Sequence, residues 1–207
     1  MIVDLSGSDV QTFGRIIANI SKTVAANRPG PMEYVQIRQD GDTIVFQTTD
    51  SYRAITATMP VHNNGTGTIP TPILVNGKQL VKAAKLIGRK TEHVTVTFTG
   101  NHVTITTGDG SMNVETGVDT WPDVNRIYDD ARGYRFPNSG DEIQTSHVDA
   151  LLLADTLAVA GKIIGGEQPK INLHGTGAKD TSGRGPWYWS GGSSSDVTVE
   201  ILMIGLR

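Results

Sequence analysis

Thr43-Ile44-Val45-Phe46-Gln47-Thr48-Thr49-Asp50-Ser51-Tyr52-Arg53-Ala54-Ile55-Thr56-Ala57-Thr58-Met59 reads as two strands, Thr43–Thr48 and Arg53–Met59, that meet at an Asp50-Ser51 turn. β-branched and aromatic residues fill both arms and suit a pleated, half-buried surface. Asp and Ser are turn residues because their side chains bond to nearby backbone. A third strand, Tyr34–Arg38, precedes these across the turn Asp40-Gly41-Asp42. Further upstream Ile2-Val3-Asp4-Leu5 is a short strand. Ser8 with Gln11 three residues on has the spacing of a capping box, so a helix is expected from there. It runs to about Asn27, and Arg28-Pro29-Gly30-Pro31 stops it.

The order strand, helix, three strands then recurs, and such self-similarity decides the architecture. The second copy has Ile73-Leu74-Val75, a helix over Lys78–Ile87 ended by Gly88, and strands at His93–Phe98, His102–Thr106 and Ser111–Gly117. The third has Glu142–Thr145, a helix opened by Ser146 with Asp149 at the capping-box position, and strands at Lys170–His174, Pro186–Ser190 and Val197–Met203. Gly/Ser-rich stretches at Gly175–Gly185 and Gly191–Ser195 read as mobile loops. The expected division is 1–62 and 63–128 as two units of one domain, and 129–207 as a linker with a third unit.

Two of the helices carry cations on the face opposite their apolar stripe. Lys78, Lys82, Lys85 and Arg89 are spaced four, three and four residues apart and share one stripe, with Leu80, Ala84 and Ile87 behind. In the first helix Val10, Phe13, Ile17, Ile20 and Val24 form the buried stripe, and Gln11, Arg15, Asn19 and Lys22 the other. A solvated helix face usually mixes its charges. A stripe without acids repels itself, which points to an anionic partner such as a phosphate backbone. The third helix differs, setting Asp149 and Asp155 against Lys162.

The whole chain carries 18 Lys/Arg and 21 Asp/Glu, a formal net charge of -3, which argues against a protein that grips nucleic acid over its entire surface. With no Cys there is no disulfide, thiol nucleophile or cysteine metal site, and a reducing cytoplasm fits. No apolar run reaches membrane-span length and the first residues do not form a signal peptide, so a cytoplasmic protein without a membrane partner is expected. The five histidines form no metal-spaced pair; His93 and His102 lie on neighbouring candidate strands, the usual place of a surface histidine. Gly175-Thr176-Gly177 opens no helix and lacks the Lys-Ser/Thr of a phosphate loop, and no Gly-x-Ser-x-Gly elbow occurs. A non-enzymatic protein with no catalytic residue, metal or cofactor is therefore expected.

Phe46-Gln47-Thr48-Thr49-Asp50-Ser51-Tyr52-Arg53-Ala54 resembles the Ala-Thr-Asp-Gly-His/Tyr-Arg-Leu-Ala signature of the bacterial β sliding clamp, the processivity factor of DNA polymerase III. Thr116-Gly117-Val118-Asp119-Thr120-Trp121-Pro122-Asp123-Val124 is similar to the Leu-Val-Asp-Gly-Arg-Phe-Pro-Asp-Tyr stretch that closes that family's central domain. Ile73-Leu74-Val75-Asn76-Gly77-Lys78 lies between them, where the family has a strand entering its second helix. Residues 1–128 thus resemble one complete clamp domain, and 140–207 the closing half of the last domain.

The resemblance implies an α+β DNA clamp fold of repeated β-α-β-β-β units, with sheets outside and helices lining a ring around duplex DNA. Arg15, Lys22, Lys78, Lys82, Lys85 and Arg89 would face the DNA without sequence preference. Thr49, Ser51, Tyr52 and Arg53, with Met203, match the family's pocket for a peptide of the DNA polymerase or of the clamp-loader ATPase. Family rings contain twelve units. A chain with three needs four copies, so a homo-oligomeric tetramer is expected, its third units pairing about a two-fold axis. The short length suggests a phage-like version in a bacterial or phage-infected cytoplasm. The alternative is a β-rich structural or scaffold protein of a virion, which would need no basic helix stripe.

Overall fold

Apolar residues at every second position draw the strands into one layer. In the computed structural model, which describes residues 2–24, 30–61, 69, 72–117, 120–132, 148–176, 187–193 and 197–203, eleven strands form that layer. They are β1 (Ile2–Ser6), β2 (Tyr34–Asp40), β3 (Thr43–Thr49), β4 (Arg53–Pro60), β5 (Ile73–Asn76), β6 (His93–Phe98), β7 (His102–Thr107), β8 (Gly110–Gly117), β9 (Ile171–Thr176), β10 (Trp187–Ser193) and β11 (Val197–Met203). The helices are α1 (Ser8–Ile20), α2 (Gly77–Ala84), α3 (Val124–Ala131) and α4 (Ala150–Ile164). The spatial order β1-β6-β7-β8-β5-β2-β3-β4-β11-β10-β9 is antiparallel at every described junction.

Two features of that order govern the rest. Within residues 1–117 the first strand of each unit is exchanged: β1 pairs with β6, and β5 pairs with β2. The two units are thereby interlocked. Farther along, β4 pairs with β11 from Thr58↔Thr198 to Arg53↔Met203, so the sheet continues into the third set of strands without a break.

One face of the sheet carries α2, α1 and α4 side by side, with α1 packed against both neighbours. Gly14 permits the close approach of the segment that follows α2, since a Cβ there would lie 3.0 Å from Ile87 Cγ2. The main core lies beneath, with Phe13, Ile16, Ile17, Ile20, Phe46, Ile55, Met59, Leu80, Ile105, Ile163 and Ile201 buried. The opposite face carries α3. Val124, Tyr128 and Ala131 pack there on Ala54, Tyr188 and Leu202, the residues that alternate with the main-core positions of β4, β10 and β11.

Several boundaries differ from the sequence reading. Helix α1 is capped by Gly7 with no side-chain cap bond, so Ser8 lies inside its first turn, and Gln11 donates instead to the carbonyls of Gly88 and Thr91 at 3.1 and 3.3 Å. The helix ends at Ile20 and tightens into a 3-10 turn over Ser21–Thr23, short of Asn27. Helix α2 ends at Ala84, capped at its start by the Asn76 side chain, which accepts from Gln79 N at 3.1 Å. Asp149 is itself the cap of α4, accepting from Leu151 N and Leu152 N at 2.8 and 2.9 Å. Strand β9 continues through Gly175-Thr176 and β10 through Gly191–Ser193, positions whose composition suggests loop. Helix α3 straddles the expected boundary at 128/129, ending the second unit and entering the expected linker. The expected strand Glu142–Thr145 and Ser146 lie outside the described residues.

A polar network fastens α3 across the β4–β11 junction. The Tyr128 hydroxyl lies 2.9 Å from Ala54 O and 3.1 Å from Glu200 O, one carbonyl on each strand. Arg132 holds Glu200 through two bonds of 3.0 and 2.9 Å, and Tyr188 donates to the same carboxylate at 2.6 Å. Burial works to raise the Glu200 carboxyl, but the bonds from Arg132 and Tyr188 outweigh it and hold the group below its ordinary 4.5. Burial and the Glu200 bond push the Tyr188 phenol up to about 12. A depressed carboxyl binds fewer protons folded than unfolded, so its stabilisation is present above the unfolded value and is lost as pH falls through the folded one. Replacing Glu200 with Gln is expected to cost on the order of 1 kcal/mol at neutral pH and to flatten the loss of stability below about pH 4.5; urea unfolding at pH 7, 5 and 3 checks both.

Candidate functional site

The turn at Asp50 is built by its own side chains. Asp50 Oδ1 accepts from the backbone N–H groups of Tyr52 and Arg53, both at 3.0 Å, and Thr49 Oγ1 donates to Arg53 O at 2.9 Å. Ser51 sits at φ 78°, the left-handed region that favours glycine, where the clamp signature has Gly. Its hydroxyl points at Met32 Sδ, 3.0 Å away. Asp50 Oδ2 accepts from Arg53 Nε at 3.0 Å. The Arg53 guanidinium also reaches α4, where Nη1 meets Asp155 Oδ2 at 2.6 Å and Thr156 Oγ1 at 2.8 Å.

The second motif lies against this turn. Trp121 Nε1 donates to Gln47 Oε1 at 2.9 Å, and Gln47 Nε2 reaches Thr56 Oγ1 and Asn125 Oδ1 at 3.0 and 3.1 Å. Asp123 Oδ1 accepts from Arg126 N at 3.3 Å and so opens α3. Between the two motifs lies a cavity of about 300 Å3, lined by Met32, Thr49, Ser51, Arg53, Ala54, Pro122, Asp123, Val124, Arg126, Ile127 and Leu202. Its floor is apolar, with the backbone and side chains of the turn on one wall and Arg126 on the other. A short, mainly apolar segment with a few hydrogen-bonding groups fits such a site.

Of the expected pocket residues, Thr49, Ser51 and Arg53 line this cavity. Tyr52 stands at the tip of the turn, 49% exposed, beside the lining residues. Met203 is fully buried on the helix side of β11, and its neighbour Leu202 faces the cavity instead. The alternation of Val197, Val199 and Ile201 already places Met203 on that inner side. Val124, Arg126 and Ile127 are lining residues that the sequence reading misses, together with α3 itself. Their signal is present in the sequence, since Pro122-Asp123 is a helix start and Val124, Tyr128 and Ala131 repeat at four and three.

On the helix face Lys78, Lys82, Lys85 and Arg89 are all exposed. Lys78 and Lys82 stand on α2, Lys85 caps it, and Arg89 lies in the following turn, one turn beyond the helix end. Lys22, also exposed, stands in the 3-10 turn after α1 with Nζ 2.8 Å from Asn19 Oδ1. Arg15 differs: it is half-buried, and its Nε donates at 3.3 Å to Ile163 O in the last turn of α4. A cation there meets the negative end of the helix. The polar stripe of α1 is therefore used within the protein, with Asn19 bonded to Arg15 O at 2.8 Å. Among the described residues no cluster of His, Asp and Glu has the form of a metal site, and no helix is long and apolar enough to cross a membrane.

Residues 9–118 match the family model for the central domain of the DNA polymerase III beta subunit. Solved structures with a similar fold include the DNA polymerase sliding clamp of Pseudomonas aeruginosa (TM-score 0.69, 14% identity, 99% of this chain and 66% of that one). The DNA polymerase III beta subunit of Thermotoga maritima gives a TM-score of 0.66 at 12% identity, over 100% of this chain and 64% of that one. The beta chain of Streptococcus pneumoniae gives 0.70 at 12%, over 100% and 65%. The chain thus spans just under two thirds of the length of these proteins. No curated protein matches it by sequence.

The conformation of Ser51 yields a stability test. A non-glycine residue in the left-handed region costs roughly 1–2 kcal/mol, part of which glycine recovers less its extra chain entropy. Ser51→Gly is expected to leave the turn intact and to raise stability by about 0.5 kcal/mol, as chemical denaturation measures, whereas Ser51→Val is expected to lower it.

Proposed function

This chain belongs to the DNA polymerase III beta subunit family, and on that premise we propose that it is a sliding clamp, a non-enzymatic ring that encircles duplex DNA and tethers a replicative polymerase. The observation that carries the reading is the helix face. Exposed Lys22, Lys78, Lys82, Lys85 and Arg89 lie on the same side of the sheet as α1, α2 and α4. The acid on that side nearest the sheet junction, Asp155, is held by Arg53. Cations presented to phosphate give contact that is independent of sequence and weakened by salt, which permits sliding. We assign Arg15 to helix packing rather than to DNA.

The units are read as 1–62 and 63–128, forming one domain, with a third, half-domain unit in 129–207. On a twelve-unit count the ring takes four chains. The cavity between the Asp50 turn and α3 is the site for a peptide of the polymerase or of the loader. Its apolar floor takes the hydrophobic side chains, and Tyr52 and Arg126 stand ready to hold the backbone and any acidic flank.

Two experiments test this. Replacing Lys78, Lys82, Lys85 and Arg89 together with Ala is expected to leave the fold intact, since all four are exposed. DNA retention should weaken, and the slope of log affinity against log salt should fall by about one for each phosphate that the variant no longer neutralises. An unchanged slope would remove these residues from the DNA face. Titration of a polymerase-tail peptide against the wild type and Tyr52→Ala should show about a tenfold weaker affinity for the variant, on the order of 1.4 kcal/mol. Equal affinities would take Tyr52 out of the site.

A further inference from the structure

Arg53 lines the cavity, yet its guanidinium is held by groups on two different elements. In the turn, Asp50 Oδ2 accepts from Nε at 3.0 Å. On α4, Asp155 Oδ2 and Thr156 Oγ1 accept from Nη1 at 2.6 and 2.8 Å. Thr156 is fully buried and donates its own proton to Leu152 O at 2.6 Å, one turn back along the helix. That bond commits the hydroxyl proton, so toward Arg53 the Thr156 oxygen acts as an acceptor in a set direction.

The Asp155 side chain is 60% exposed, whereas that of Arg53 is 8% exposed. An ion pair with one partner so open to water adds little to stability. Its effect is geometric instead. A planar guanidinium with acceptors placed at both Nε and Nη1 has one orientation that meets them all. The Asp50 carboxylate at the Nε end is the same group that closes the turn, where it accepts from the N–H groups of Tyr52 and Arg53. The orientation of Arg53 and the shape of the turn are therefore one arrangement, and Thr49, Ser51, Arg53 and Ala54 of the cavity lining ride on it.

We infer that Asp155, with Thr156, is a positioning residue for the cavity. It lies outside the lining and acts through Arg53, holding the turn wall in the form that receives a segment. The inference rests on the proposed reading of the cavity as a peptide site. Without the Asp155 carboxylate, Arg53 keeps its bond to Asp50 but its far end is less constrained. A segment entering the cavity must then order that side chain on arrival, and ordering a long side chain at an interface weakens binding. The helix layer thereby sets the affinity of a site whose lining includes none of its residues.

The test uses the full chain and the polymerase-tail peptide. Asp155→Asn keeps the size of the side chain and removes its charge; it is expected to bind the peptide about fivefold more weakly than the wild type. The unfolding midpoint should scarcely move, because the pair is exposed on one side. The Nε–Hε signal of Arg53 in a nitrogen-15 NMR spectrum, recorded without peptide, reports the tether itself. It is expected to be sharp and slowly exchanging in the wild type and to broaden in the variant, with the backbone signals of α4 retained. Equal or tighter peptide binding by Asp155→Asn overturns the inference, as does weaker binding with an unchanged Arg53 signal. Thr156→Val removes the other acceptor with little change of shape and serves, with the same expected outcomes, if the Asn variant does not fold. A wild type that does not bind the peptide rejects the reading of the cavity instead, and the Arg53 signal then judges the tether alone.

Discussion

The hydrogen-bonded pairing of β4 with β11 is the constraint on which the rest of the molecule depends. Six residue pairs, Thr58↔Thr198 to Arg53↔Met203, fuse the third set of strands to the first and fix its register. A slip of one residue would send every side chain of β11 to the wrong face, moving Leu202 from the cavity into the main core and Met203 out of it. The same pairing brings α4 beside α1 on one face and gives α3 its bed on the other. Tyr128 sits over the seam with a carbonyl from each strand in reach of its hydroxyl.

Arg53 couples the two faces at that seam. Its side chain is 8% exposed and meets Asp50 in the turn and Asp155 on α4. A buried guanidinium left without its acids is strongly destabilising, whereas one that is fully bonded fixes geometry more than it adds stability. The consequence is positional: the turn that walls the cavity and the helix on the opposite face are tied to one group. A net charge of -3 is consistent with this division of labour. On the proposed reading, a ring that encloses its DNA would hold it by topology, and the cations would need only to keep the backbone centred. Weak, salt-sensitive contact suits that task better than an affinity built over the whole surface.

Much of the fold is legible in the residues, for particular reasons. The strands are, because His93–Phe98 and His102–Thr107 alternate cleanly and Thr43–Thr49 is filled with β-branched and aromatic residues, and the two motifs around Asp50 and Trp121 lie on the two walls of one cavity. Their meeting is not legible, since Trp121 and Gln47, 74 positions apart, come together only through their side chains, which a pattern along the chain cannot see. Helix α3 is short, so its repeat is brief and easily passed over. Arg15 looks like a surface cation when its stripe is judged on α1 alone; the neighbour that buries it, α4, arrives from the far end of the sequence. The spacing of Lys85 and Arg89 carries the apparent end of α2 too far, because it continues the helical period although the backbone leaves the helix at Ala84.

Electron microscopy of the purified protein tests the central claim most directly, since a sliding clamp must close into a ring before it can do anything else. The expected images are closed rings whose central opening admits a duplex, with the layer of α1, α2 and α4 turned inward and the sheet outside. Compact single chains, or assemblies with no opening of that size, would contradict it.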